Sequence, residues 1–190
     1  IYPCCCNRAD IAQAAAAPQE GVPEFGPDGR IYPGTCRHRS LSQARPGDAL
    51  RLDMRKAVKA LQKPVTYEEF GEQHSKRITL KAEALIAQVG DVVLRRKDQG
   101  AAYHLAVVID DDAQNITDVV RGADLNAATQ IHVVLQQLLN IPTPRYHHHS
   151  LIRDETGKRL AKRSDSEALS SLRKAGHSAQ DITERLFSAP

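Results

Sequence analysis

Apolar positions recur with a helical period in some stretches, alternate with polar ones in others, and run unbroken in one. The unbroken run is Leu105-Ala106-Val107-Val108-Ile109. Aliphatic residues rich in β-branching, with no polar alternation, fit a strand buried on both faces, as in a parallel sheet. Asp110 to Asp112 and Gln114-Asn115 then read as a polar turn. A second short strand, Ile116 to Val120, ends in Arg121-Gly122. Ligands of open α/β sheets bind beyond the carboxyl ends of strands. Arg121 therefore stands at a candidate binding position, with Gly122 leaving room for close approach. An isolated Arg-Gly is otherwise a surface arginine beside a turn.

The clearest helical period runs from Asn126 to Leu139, where Ile131, Val134, Leu135 and Leu138 fall at i, i+3, i+4 and i+7. It stops at Asn140, before Ile141-Pro142. Tyr146 to Ile152 follows as a returning strand, which makes a strand, crossover helix, strand unit. His147-His148-His149 lies inside that strand. Neighbouring strand residues point to opposite faces, so the three cannot share one metal. A partly exposed strand end is expected there, with a polar role near a ligand as the alternative.

Alternation marks Ala49 to Met54 as a half-buried strand. Arg55 to Gln62 reads as a short helix broken at Lys63-Pro64, and Tyr67 to Gln73 as a further strand. Lys76 to Val89 has only weak periodicity. Gly90-Asp91 turns the chain into Val92-Val93-Leu94, and Arg95-Arg96-Lys97 reads as a solvated strand end, with a phosphate contact as the alternative. Asn7 with Asp10 forms a capping box for a helix from about Arg8 to Ala17, and Pro18 to Arg30 is a Pro- and Gly-rich loop. Ser164 with Glu167 caps a helix to Lys174 that ends at Gly176. Ser178 with Asp181 caps a last one, to about Phe187.

Composition narrows the class. A 190-residue chain with 41% hydrophobic and 26% charged residues is ordinary for a soluble domain. A net charge of +3 permits nucleic-acid binding without arguing for it. No apolar run approaches the ~18 residues of a membrane span, so a cytoplasmic protein with no membrane partner is expected. The chain begins at Ile1, which fits a piece of a longer product whose N-terminal part lies upstream.

All four cysteines, Cys4, Cys5, Cys6 and Cys36, lie in the first 36 residues. Three in a row suit a disulfide framework poorly and a metal site in a reducing compartment better. Cys4, Cys6 and Cys36 supply three thiols, and zinc takes four ligands in a tetrahedron. The fourth is open between His38 and Tyr32, and Cys5 is expected to point away. Near the other end, Lys158, Arg159, Lys162 and Arg163 form a glycine-hinged basic loop. Opposite a polyphosphate it would neutralise charge in a transition state.

The segments CCCNR, IYPGTCR, ALRLDM, GDVVLRR, AYHLAVVIDD, ITDVVRGADL and GKRLAKR, in that order, resemble the glutamyl branch of class I aminoacyl-tRNA synthetases. RGADL and the short tail after Arg163 are similar to the sub-branch that acts on queuosine in tRNA(Asp). The resemblance implies an α/β class I Rossmann-like catalytic domain, incomplete at the N-terminus, with a zinc-binding insertion. It implies a zinc-binding part at 1–45 and the rest of an acceptor-binding-like insertion at 46–100. The second half of the catalytic domain would follow at 101–153, and a KMSKS-like loop with C-terminal helices at 154–190.

The implied reaction is ATP-dependent activation of glutamate and its transfer to the queuosine base at the wobble position of tRNA(Asp), by a monomer using ATP with Mg2+. The implied zinc ligands are Cys4, Cys6, Tyr32 and Cys36. Tyr103 and Arg121 match the family's glutamate contacts, and Arg159 and Lys162 its ATP contacts, with Lys162 catalytic. Arg159 replaces a lysine of the KMSKS motif and Ala161 its serine. The family's HIGH motif has no counterpart in these residues and is expected upstream, so the chain as it stands is expected to be inactive alone. Two other readings remain: part of an ordinary glutamyl-tRNA synthetase, and a zinc-stabilised RNA-binding module without catalysis.

Overall fold

The structure is a computed structural model that describes residues 1–15, 23–61, 63–71, 75–97, 100–153, 157 and 168–187. The chain divides into two units, Ile1–His149 and Ser150–Pro190. The first unit begins with β1 (Tyr2–Cys4), α1 (Arg8–Ala15) and a small hairpin of β2 (Phe25–Gly26) and β3 (Gly29–Arg30). Next come β4 (Ala49–Arg51), α2 (Met54–Ala60), β5 (Val65–Phe70) and β6 (Ser75–Leu80). The single turn α3 (Ala82–Ala84) passes into a π-helical turn, Leu85–Val89. The unit closes with β7 (Val93–Arg96), β8 (Gly100–Ala101), α4 (Tyr103–Ala113), β9 (Asp118–Gly122), α5 (Asn126–Leu139) and β10 (Arg145–His149).

These strands make two four-stranded sheets. One, in the order β1-β4-β7-β8, is antiparallel throughout. The other, β6-β5-β10-β9, is mixed: β6 runs antiparallel to β5, while β5, β10 and β9 are parallel. Parallel neighbours need a crossover, and α5 supplies it between β9 and β10. Its middle is buried nearly all round, at Ile131, His132, Val133, Val134 and Leu135. Of these, Ile131, Val133, Val134 and Leu135 join Met54, Leu85, Val92, Val108 and Tyr146 in the main core. The helix ends where Asn140 takes a left-handed conformation, φ 56°, which asparagine tolerates better than most residues.

The apolar run Leu105–Ile109 is helix, not strand: it is the middle of α4. Five apolar residues carry no period that separates the two states. Burial does carry one. His104 and Val108 are buried at i and i+4, while Tyr103 and Ile109 are exposed, as on a helix packed along one side. The aspartates Asp110 to Asp112 continue that helix rather than turning the chain. Among the described residues β9 is the edge of the mixed sheet and pairs with β10, and the run takes no place beside it.

Other differences are smaller. The strand ending at Arg121-Gly122 spans Asp118–Gly122 and includes Arg121. The weakly periodic segment holds β6 and the helical turns after it. The three histidines do form a partly exposed strand end, His147 and His148 half-buried and His149 exposed, but the His148 side chain itself is only 2% exposed. The turn before β7 depends on Gly90, whose φ is 68° and whose Cβ, if present, would lie 2.8 Å from Ile31 Cγ2.

In the second unit, α6 (Leu169–Lys174) and α7 (Ala179–Phe187) follow one another. Ser178 and Asp181 exchange capping hydrogen bonds: each backbone N–H donates to the other's side chain, at 2.7 and 3.1 Å. Asn7 and Asp10 do the same at α1. Arg159, Lys162, Ser164 and Glu167 lie outside the described residues.

Candidate functional site

Two polar clusters in the first unit carry chemistry. The first joins β1 to the turn at residues 32–36. Cys4, Cys6 and Cys36 bring their Sγ atoms within 4.8 Å of one another, with Cys6 to Cys36 at 3.5 Å. Sulfurs at the corners of a zinc tetrahedron with ~2.3 Å bonds stand ~3.8 Å apart, so this spacing suits the ion. Tyr32 Oη lies 3.4 Å from both Cys4 and Cys6 Sγ and accepts the Cys36 backbone N–H at 2.9 Å. His38 is exposed and does not join the group. Cys5 is exposed, yet its Sγ comes within 3.8 Å of Cys36 Sγ.

Burial and mutual hydrogen bonding set the protonation here. Burial opposes the Cys36 thiolate, but hydrogen bonds from Tyr32, the Cys5 backbone and the neighbouring thiols outweigh it, and its pKa falls to about 6. Burial, offset in part by Tyr32, raises Cys6 to about 11. Burial and then the cysteine contacts raise Tyr32 as well. Without a cation the group favours one thiolate among protonated neighbours. A divalent ion would change that, since binding requires deprotonated sulfur. The donor set is soft, clustered and largely buried, which fits zinc.

The second cluster surrounds Arg121 on edge strand β9. Its Nε donates to His148 Nε2 at 3.1 Å and its Nη2 to Thr129 Oγ1 at 2.7 Å, and Nη1 lies 3.2 Å from His132 Nδ1. A guanidinium has only donors, so both imidazole nitrogens must accept. The tautomers follow. His132 carries its proton on Nε2 and donates to His104 Nδ1 at 3.0 Å. His104 in turn presents Nε2–H to Asp28 Oδ1 at 3.3 Å. His148 presents Nδ1–H to Glu69, with both carboxylate oxygens at 2.9 Å. Burial, followed by the positive charge of Arg121, lowers His132 to about 3. It is neutral at any physiological pH and remains an acceptor.

Among the described residues no carboxylate pairs with Arg121. Its hydrogen-bond partners are neutral groups that fix its orientation, and the Asp111 carboxylate is near enough to feel its charge. Tyr103, 48% exposed at the start of α4, packs edge-on against the His104 and His132 rings, with centroids 5.2 and 5.9 Å away. It lines two cavities, one of about 1090 Å³ with Phe25, Gln88, Leu125 and Ala128 and one of about 640 Å³ with Arg8, Arg51 and Arg96.

Sequence reasoning singled out Arg121 and Tyr103 but missed Thr129, His132, His104, Glu69 and Asp28. A signal was present. Thr129, His132 and Gln136 form a polar stripe at i, i+3 and i+7 on a helix whose other buried residues are apolar. Buried polar groups at helical spacing need partners, and the partner of the first two is Arg121.

Residues 49–187 match the family described as tRNA synthetases class I (E and Q), catalytic domain, and the chain belongs to that family. Among curated relatives it is similar to the glutamyl-Q tRNA(Asp) synthetase of Rhodobacter capsulatus. The two are 52% identical over 185 residues, which cover 96% of this chain and 65% of that protein. A second glutamyl-Q tRNA(Asp) synthetase, from Geobacter sulfurreducens, is 41% identical over 175 residues, 90% of this chain and 49% of that one. The chain thus spans between about half and two thirds of the length of these relatives. The crystal structure of a glutamate tRNA ligase from Elizabethkingia meningosepticum, in complex with its amino acid, superposes with a TM-score of 0.55 at 20% identity. It covers 93% of this chain and 33% of that one, and supports the mixed α/β fold. No helix among the described residues is long and apolar enough to cross a membrane.

Proposed function

We propose that this chain is part of an enzyme that activates glutamate with ATP and transfers it to the queuosine base of tRNA(Asp). The observation that carries the reading is the state of Arg121: a guanidinium fixed by neutral hydrogen-bond partners, beside a half-exposed tyrosine. Such a group binds a carboxylate through charge-assisted, bidentate hydrogen bonds. The names of the relatives supply the amino acid and the acceptor. Arg121 grips a glutamate carboxylate and Tyr103 orients the molecule. The other carboxylate attacks the α-phosphate of ATP and pyrophosphate leaves. The acyl group then passes to queuosine and AMP is released. Lys162 and Arg159 serve the phosphates, where negative charge builds in the transition state.

Cys4, Cys6, Cys36 and Tyr32 hold one zinc ion in this reading. The ion's contribution is structural, tying β1 to the turn at 32–36 and closing the chain between them.

The test uses the full-length protein with ATP, labelled glutamate and tRNA(Asp) carrying queuosine. Label released with the anticodon fragment supports the proposal. Label on the acceptor end of tRNA(Glu) assigns the chain to the ordinary glutamyl enzymes instead.

A further inference from the structure

A chain of contacts leads from Arg121 to the carboxylate of Asp28. Arg121 Nη1 lies 3.2 Å from His132 Nδ1, His132 Nε2 lies 3.0 Å from His104 Nδ1, and His104 Nε2 lies 3.3 Å from Asp28 Oδ1. The guanidinium at one end only donates, and the ionised carboxylate at the other only accepts. Both imidazoles between them therefore carry the proton on Nε2 and leave Nδ1 bare. The reverse pair of tautomers would turn an N–H of His132 against the N–H of the guanidinium. His104 and His132 are 7% and 2% exposed, so a polar atom that loses its partner inside this chain is left without one, at a cost in free energy.

Asp28 sits in the turn between β2 and β3, and that hairpin is held closely enough to aim it. A Cβ on Gly26 would lie 2.3 Å from the Gln88 carbonyl oxygen, so β2 approaches the π-helical turn as only glycine allows. Ile31, directly after β3, donates its N–H to the Glu24 carbonyl at 3.0 Å. Arg30 pairs with Glu24, and among the described residues the ion-pair partner of Asp28 is His104. We infer that Asp28 is a positioning residue for Arg121, acting through His104 and His132 by fixing the tautomers of both. The inference rests on the function proposed above, in which Arg121 grips glutamate. Without the Asp28 acceptor, His104 is free to carry its proton on Nδ1. His132 must then carry its own on Nδ1, and Arg121 loses one of the acceptors that hold it, while His148 and Thr129 remain.

The test varies glutamate and ATP in turn in pyrophosphate exchange by the full-length protein, with tRNA(Asp) present. Asp28→Ala should raise the KM for glutamate roughly fivefold, about the worth of one hydrogen bond, with the KM for ATP near wild type. Asp28→Asn keeps an acceptor oxygen and should recover most of that loss. Glu24→Gln weakens the ion pair of the same hairpin, leaves Asp28 in place and should behave as wild type. Thermal melting confirms that each variant is folded. Heteronuclear NMR of the imidazole nitrogens reads the tautomers directly. Both His104 and His132 should carry Nε2–H in wild type and in Asp28→Asn, and mixed tautomers in Asp28→Ala. Equal changes in both KM values or in neither, no recovery by Asp28→Asn, the same glutamate defect in Glu24→Gln, or unchanged tautomers in Asp28→Ala would each overturn the inference. A wild type without glutamate-dependent exchange overturns the proposed function instead, and the imidazole spectra then decide the link from Asp28 to Arg121 by themselves.

Discussion

Arg121 Nε donates to His148 Nε2 across 3.1 Å, and His148 is held by Glu69 on its other nitrogen. The two residues face each other in register on adjacent parallel strands. A carboxylate thus fixes an imidazole, the imidazole fixes a guanidinium, and the guanidinium is left with its charge. Hydrogen bonds to charged groups are worth roughly 1.5–3 kcal/mol. His148→Ala in the full-length enzyme should therefore raise the KM for glutamate about tenfold or more and leave the KM for ATP near wild type. Arg121→Ala should cost glutamate binding on the order of 2 kcal/mol or more. Steady-state kinetics with each substrate varied in turn checks both, and equal losses for the two substrates would make these residues structural.

His132 links pH to stability. Its pKa lies at about 3 in the folded chain, against 6.5 for an ordinary histidine. Below about pH 6.5 the unfolded chain takes up a proton that the folded chain refuses. Stability falls as pH drops, by up to ~1.4 kcal/mol per pH unit for this one site, and the effect levels off below about pH 3. The groups facing His132 are Arg121, His104, His148 and the Tyr103 ring. His132→Gln should lose part of this acid sensitivity. Urea unfolding of both proteins at neutral and mildly acid pH gives the comparison, and identical pH profiles would count against a buried neutral histidine.

The thiol cluster gives a metal prediction. Reduced protein purified without chelator should carry one zinc per chain. Cys36→Ser should lose it and melt at a lower temperature, because ion binding and local folding are one equilibrium. Metal analysis of Tyr32→Phe and His38→Ala tests the fourth ligand. Loss of affinity is expected from the first and none from the second, as His38 is exposed and stands outside the sulfur group.

Asp91, which is 4% exposed, accepts from Tyr2 Oη at 2.6 Å, Arg37 Nε at 2.8 Å and the Met54 N–H at 2.9 Å. It thereby ties β1, α2 and the turn before β7 together. Asp91→Ala removes all three acceptor contacts and leaves Arg37 without its carboxylate. Arg37 is 25% exposed, so the loss is that of three hydrogen bonds to a buried carboxylate, on the order of 3 kcal/mol. Chemical denaturation should show a loss of that order, and a change within error of zero would contradict the role.

What was legible in the sequence followed from how local the determining physics is. The capping pairs Asn7–Asp10 and Ser178–Asp181 and the 14-residue period of α5 are set by residues three to seven apart, and they form where the pattern placed them. Leu105–Ile109 is too short to show a period, and its state depends on neighbours distant in sequence, so it was misread as a strand. Cys4, Cys6 and Cys36 declared themselves by residue type. The network around Arg121 did not, because its acceptors Thr129, His132 and His148, and Glu69 behind His148, come together only after β5, α5 and β10 have packed. His148 also hid within a run of three histidines whose members face different surroundings.

The measurement that tests the account most directly is glutamate transfer by the full-length protein, with ATP and with tRNA(Asp) from cells that make queuosine or cells that do not. The account predicts labelled glutamate on the anticodon fragment of the queuosine-containing tRNA only, and a sharp loss of that label in Arg121→Ala at limiting glutamate. Equal labelling of tRNA lacking queuosine, or labelling that survives Arg121→Ala unchanged, would contradict it.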